Sequence, residues 1–272
     1  MATIPSSQKL YPVGTATEEF GKVRYIGLEL ETTRNINALP KIDDVEWELA
    51  HWSLSSKERE EFGKLIDKSG KMIAMIGADG GDIEITTQPL SERTLRSDYE
   101  FNQMLRAYNM FCIPDQQSGT HVHISKLEDD KRNLWRNLYW FSVVYDKQLY
   151  AIFRRRSTWA LSPKKRLQDM GRTKISINEI ADLRYPGFGN KGTLIIKRQN
   201  TYECRGGSAS TDANEIKAWA LMFKNIVDFC NQTTIVGHRF EEVLPDGNYG
   251  DMLRDRLTGE QARQICPIDL YL

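Results

Sequence analysis

Apolar and polar positions change period several times along the chain, and each change predicts an element. Residues 22–33, KVRYIGLELETT, alternate and are rich in β-formers, which predicts a strand. Side chains in a strand repeat every second residue, so Glu29 and Glu31 share one face. Residues 34–54 give no clear element. Ser55 and Glu58 have capping-box spacing, and the polar run after them predicts a helix to Lys68. KMIAMIG and DIEITTQ read as two strands around a turn at residues 78–81. A helix is expected over 95–109, and a strand at SGTHVHIS, residues 118–125.

Beyond that strand, Asp129 or Asp130 is placed to cap one long helix. In it Leu134, Leu138, Phe141, Tyr145, Leu149 and Ile152 recur at helical spacing. This helix runs into Arg154, Arg155 and Arg156. Residues 157–192 mix Ser, Pro, Gly and basic residues and read as loop with short helices. TLIIKRQNTYECRGG predicts a strand pair turning at Gln199 and Asn200. Asp212 and Glu215 form a second cap, opening the helix EIKAWALMFKNIVDFC. The last forty residues are loop-rich. Strands and helices intermingle without a βαβ rhythm, which favours an α+β fold on an antiparallel sheet.

Composition adds little that is directional. The 272 residues are 40% apolar and 27% charged, and Lys plus Arg balance Asp plus Glu at 37 each. A net charge of zero gives no general pull toward nucleic acid or an acidic membrane surface. The four cysteines, Cys112, Cys204, Cys230 and Cys266, make no CxxC pair, so reduced thiols and a cytoplasmic setting are expected. MATIPSSQKLYPVG has no basic stretch leading into an apolar run, so no signal peptide is expected. No segment approaches the roughly 20 apolar residues of a membrane span.

The chemistry-bearing residues fall on the strands. Two of only four histidines, His121 and His123, stand one residue apart. Glu29 with Glu31, Asp79 with Asp82 and Glu84, and Glu203 with Arg205 lie on the other strand-like segments. Like charges on one strand face repel and are costly to bury unless a cation sits between them. Carboxylates with a histidine suit Mg²⁺ or Mn²⁺, and Mg²⁺ with few protein ligands commonly also binds phosphates, which arginines grip bidentately. Each pair alone also fits a solvated strand face, and Arg154–Arg156 alone fits a helix end favoured by the helix dipole. Their joint occurrence on successive strands points to a site.

In order, YIGLELET, DGGDIEITTQPL, SGTHVHIS, FRRRS and YECRGG resemble the signatures of the amidoligase family. That family belongs with glutamine synthetase and glutamate–cysteine ligase among the carboxylate–amine ligases. The resemblance spans residues 22–206 and implies a single catalytic domain over 1–272, with a C-terminal helix and tail from 212. It implies a curved, mainly antiparallel sheet like the glutamine synthetase catalytic domain, with packed helices, binding ATP and Mg²⁺, with Mn²⁺ as a substitute. The implied reaction activates a carboxylate as an acyl phosphate, which an amine then attacks. The partners are thus small-molecule or peptide carboxylates and amines, without a membrane, while nucleic acid stays open. By the same resemblance Glu29, His121 and Glu203 hold the metal on the nucleotide phosphates. Glu31, Glu84 and Asp79 hold the metal on the substrate side. Arg205, Arg154 and Arg156 serve the transferring phosphoryl group, and His123, Arg155 and Arg205 contact nucleotide phosphate.

The chain departs from the pattern in two places. Asp79-Gly80-Gly81 replaces Asp-Gly-Ser with a shortened interval to Glu84, which leaves Asp82 as a rival to Asp79. Cys204 replaces Phe and is expected to pack on the opposite side of the sheet as core. RYPGFGNKG, residues 184–192, reads as a lid or a plain surface loop, and Arg154–Arg166 as the side from which an anionic carboxylate enters. Two other readings compete. HVHISKLE has the HxH-then-Glu128 start of a cupin metal motif but lacks the glycine that should follow. RRRSTWALSPKKR, with Trp159 for stacking, suits a nucleic-acid binder, against which the zero net charge and acidic strands argue.

Overall fold

The computed structural model describes residues 21–34, 45–51, 61–67, 72–79, 82–96, 101–102, 105, 112–113, 118–153, 160, 194–198 and 200–232. Arg154–Arg156, residues 161–193 and the last forty residues lie outside this set, and so do the lid and entry-side expectations. The described residues form an α+β structure. The strands are β1 (Ile26–Arg34), β2 (Val45–His51), β3 (Glu61–Asp67), β4 (Met72–Asp79), β5 (Asp82–Thr87), β6 (Cys112–Ile113), β7 (Gly119–Ser125), β8 (Ile195–Lys197) and β9 (Thr201–Ser208). The helices are α1 (Glu92–Arg96), α2 (Leu134–Val144), α3 (Asp146–Phe153) and α4 (Ala213–Gln232).

All ladders are antiparallel, in the order β2-β3-β4-β5-β1-β7-β9-β8, with β6 pairing the end of β1. The order runs from one edge to the other, with no ladder joining β2 to β8 among the described residues. The sheet is therefore open and is not curled on itself, which corrects the expectation of a curved one. β1 and β7 lie toward its middle, with one face packed under the helices. Every residue of β7 is buried.

Alternation sorts the two faces. Ile26, Leu28 and Leu30 of β1, Val122 and Ile124 of β7, and Tyr202 and Cys204 of β9 enter one hydrophobic core. α4 lies across β1, β7 and β9 on that face, and α2 packs against α4. Trp219 of α4 is fully buried and donates its indole N–H to the Ile152 carbonyl at 3.1 Å. Burying a large apolar side chain contributes about 1.5–3 kcal/mol, so this layer fixes the sheet to its helices. The opposite face of the same strands is left to the acidic residues and histidines.

Several sequence expectations need correction. Residues 61–67 are strand, not helix, and the Ser55 cap lies outside the described residues. Gly63 disfavours a helix by roughly 1 kcal/mol, and β2 and β4 pair this segment on both sides. The long helix is two helices that part at Tyr145, although its apolar stripe stays buried throughout. Asn133, not Asp129 or Asp130, occupies the start of α2 and makes no side-chain cap bond. Asp130 instead accepts the Leu127 N–H and pairs with Arg24. Arg24 also pairs with Asp228 at 2.5 Å and donates to the Ser125 carbonyl at 2.9 Å, tying the start of β1 to the end of β7 and to α4. Asp212 caps α4 as expected, accepting the Asn214 and Glu215 N–H groups at 2.8 and 3.3 Å, whereas the Glu215 carboxylate accepts from the Ser210 hydroxyl, to which the Asp212 N–H also donates.

Candidate metal centre

Cross-strand register assembles the site. Glu29 on β1 stands opposite His121 on β7, and Glu31 stands opposite Glu84 on β5. On β9, Glu203 stands opposite His123. His123 in turn faces Gly27 on β1, which presents no side chain and leaves the imidazole room to lean toward Glu29. The β7–β9 register shifts between Thr120 and Val122: a bulge on β9 sets two residues, Arg205 and Gly206, against His121. After Arg205 come two glycines with steric reasons. A Cβ on Gly206 would meet Leu194 at 2.4 Å, and one on Gly207 would meet the Thr120 carbonyl at 2.6 Å.

His121 is the hub. Its Nδ1 lies 3.1 Å from Glu29 Oε2 and 3.7 Å from Glu203 Oε1, and its Nε2 lies 3.3 Å from Glu31 Oε1. His123 Nε2 is 3.0 Å from Glu29 Oε1, while its Nδ1 is 3.2 Å from the Thr201 hydroxyl. Arg205 places Nε 3.3 Å from Glu203 Oε1 and a terminal nitrogen 3.9 Å from Glu31. Arg198 pairs with Glu203 Oε2.

Glu203 has no exposed side-chain surface. Its Oε1 accepts no well-aligned hydrogen bond among the described residues, despite the proximity of Arg205 and His121. A buried carboxylate oxygen in this state costs free energy unless a cation completes it. Glu29, His121 and Glu203 each offer a ligand atom, all within 4.8 Å of one another. Octahedral Mg²⁺ with bonds of about 2.1 Å sets neighbouring ligands about 3.0 Å apart and opposite ones about 4.2 Å apart. The 3.1 Å separation matches neighbouring ligands, and the 3.7 Å one lies between the two values, about half an ångström short of opposite ligands and within reach of a side-chain adjustment. The donor set thus fits a divalent cation.

The other expected ligands divide. Glu84 accepts a hydrogen bond from the Thr86 hydroxyl at 2.9 Å beside Glu31. Asp79 and Asp82 are cross-strand partners at the end of the β4–β5 hairpin, two positions past the Gly77–Glu84 pair, and their side chains lie outside the described residues. Glu128, which a cupin reading joins to the histidines, is exposed in the turn after β7. Cys204 lies in the core as expected, and burial pushes its thiol up to about 12. Arg198 was not anticipated. The signal was the hairpin itself: Ile196 is the partner of Glu203, so Arg198, two residues on, returns to the same face.

Burial opposes charge on Glu29, but the charge of His123 and hydrogen bonds from both histidines outweigh it and hold the carboxyl well below its ordinary range. Burial likewise opposes charge on His123, yet Glu29 and then Glu203 raise its pKa. The ordinary values are 4.5 and 6.5, so stabilisation from this one contact is complete between them. It is lost as pH falls through the depressed Glu29 value and as pH rises through the elevated His123 value. Metal-free protein in chelator is expected to show this double-sided profile in thermal melts, and Glu29→Gln to flatten both limbs. Unchanged limbs in the variant would contradict the pairing.

No protein-family model matches the chain, and no curated protein matches it. None of the described helices is long and apolar enough to cross a membrane.

Proposed function

We propose that this protein is an ATP- and Mg²⁺-dependent carboxylate–amine ligase that forms an amide or peptide bond through an acyl phosphate. One observation carries this most: Glu29, His121 and Glu203 converge from three adjacent strands around an incompletely satisfied buried carboxylate, with Arg205 beside it. The motif order that resembles the amidoligases supports it, and in that light the open antiparallel sheet is a platform of glutamine synthetase type. Glu29, His121 and Glu203 would hold the metal of the nucleotide side, and Glu31 and Glu84, with Asp79 or Asp82, that of the substrate side. When bound, such ions neutralise charge on the transferring phosphoryl oxygens.

The chain's own residues do the rest. Arg205 reaches both carboxylate groups and offers guanidinium N–H donors where equatorial oxygen charge grows. His123 lies between Glu29 and Thr201, its Nε2 3.0 Å from Glu29 without an aligned hydrogen bond and its Nδ1 bonded to the Thr201 hydroxyl, which fixes the ring beside Glu29. Glu31 beside His121 Nε2 fixes the ring so that Nδ1 faces the ligand group, the way carboxylates orient ligating histidines. Strands rather than loops carry all of these groups, which suits chemistry that depends on fixed positions. A cytoplasmic supply of ATP agrees with this role.

The test is an ADP-release screen of amino acids, peptides and polyamines with Mg²⁺-ATP, paired with mass spectrometry. Expected is ADP formed in step with a product lighter by one water than its two substrates. ATP turnover that survives excess chelator, or nucleic-acid binding that falls steeply with salt and comes without ADP release, would contradict it.

A further inference from the structure

Among the described residues, Arg198 differs from Arg205, the other arginine beside Glu203. Its side chain is 39% exposed, whereas the Glu203 side chain it holds is fully buried. Its backbone N–H donates to the Thr201 carbonyl at 2.9 Å, so the main chain is fixed at the hairpin while the guanidinium reaches in from the solvent side. Arg205, by contrast, is buried and stands between Glu203 and Glu31. Arg198 also feels the charges of Glu29 and Glu84 in addition to that of Glu203. A wholly buried carboxylate needs a counter-charge at all times. The half-exposed arginine is the one that can withdraw into water at small cost when another cation arrives.

We propose that Arg198 is the resident counter-cation of the site and that a divalent ion takes Glu203 over from it. This rests on the metal reading given above. Metal and guanidinium then compete for one carboxylate, and Arg198 sets how tightly free metal binds. Removing its charge while keeping a polar side chain leaves Glu203 open to the ion. A charge-assisted hydrogen bond is the competing interaction, so the expected gain in metal affinity is about tenfold.

The experiment titrates the full chain with Mn²⁺ alone, without nucleotide, following the free-ion signal by electron paramagnetic resonance. Arg198→Gln is expected to bind Mn²⁺ about tenfold more tightly than wild type, and Arg198→Lys to stay near wild type. Circular dichroism checks that each variant folds. A second readout needs no variant: in wild type, the Arg198 Nε–H resonance should move or vanish as Mg²⁺ is added. Wild type and Arg198→Gln binding Mn²⁺ equally, or an Nε–H resonance indifferent to saturating Mg²⁺, overturns the competition while leaving the metal reading intact. If neither wild type nor Arg198→Gln binds Mn²⁺ at millimolar concentration, the metal reading fails and this inference with it.

Discussion

Glu203→Gln is expected to lower Mg²⁺-dependent ATP turnover by about a thousandfold, with the fold intact. The amide is nearly isosteric with the carboxylate, so the hydrophobic layer under β9 is undisturbed. What changes is charge at a position with no exposed surface. Arg198 is partly exposed and re-enters water, and Arg205 still has Glu31 at 3.9 Å. The stability cost is therefore modest while the metal loses an anionic ligand. More Mg²⁺ should restore only part of the loss. Glu29→Gln should behave alike, since Glu29 is a second member of the same ligand group. Steady-state ADP release at saturating ATP measures it, and normal turnover in both variants would remove these residues from the chemistry.

Arg205→Gln is expected to lower kcat by about a hundredfold to a thousandfold, with little change in the KM for ATP. Charge on the phosphoryl oxygens grows most in the transition state, so a donor aimed there acts on kcat more than on ground-state binding. Arg205→Lys should recover only part of the activity, because an ammonium lacks the planar fork that spans two groups. A variant that raises the KM for ATP and leaves kcat alone would make Arg205 a plain nucleotide contact.

Much of the site was legible because its chemistry follows a period of two. Glu29 and Glu31, His121 and His123, and Glu203 and Arg205 each sit two apart on a strand, and the alternation that hides Leu28, Leu30, Val122 and Cys204 in the core puts these on the other face. The grouping of Glu29, His121 and Glu203 rested on the resemblance, and the individual contacts among them were not legible from the residues. Register depends on pairings distant in sequence, and the β9 bulge shifts it again. The role of His121 as a hub between Glu29, Glu203 and Glu31 is a product of that register. Arg198 was missed because a basic residue at a hairpin turn looks like a solvated one until the pairing of Ile196 with Glu203 is known.

The fold shows the same division. The α4 cap at Asp212 is local and was readable. β2 carried a signal that went unused, since Val45, Trp47 and Leu49 alternate with Glu46 and Glu48. β3 was misread because polar residues after a capping-box pattern mimic a helix, whereas ladders to β2 and β4 decide the matter. The break at Tyr145 leaves the apolar stripe in phase, so periodicity had no means of announcing it.

The most direct measurement is a crystal of the full chain soaked with Mn²⁺ and a non-hydrolysable ATP analogue, with data collected at the manganese absorption edge. An anomalous peak is expected among Glu29, His121 and Glu203, at about 2.0–2.6 Å from one donor atom of each and within reach of the analogue's phosphates. A peak held by other residues, or nucleotide density with none of these three side chains near the ion, would contradict the site and the ligase chemistry built on it.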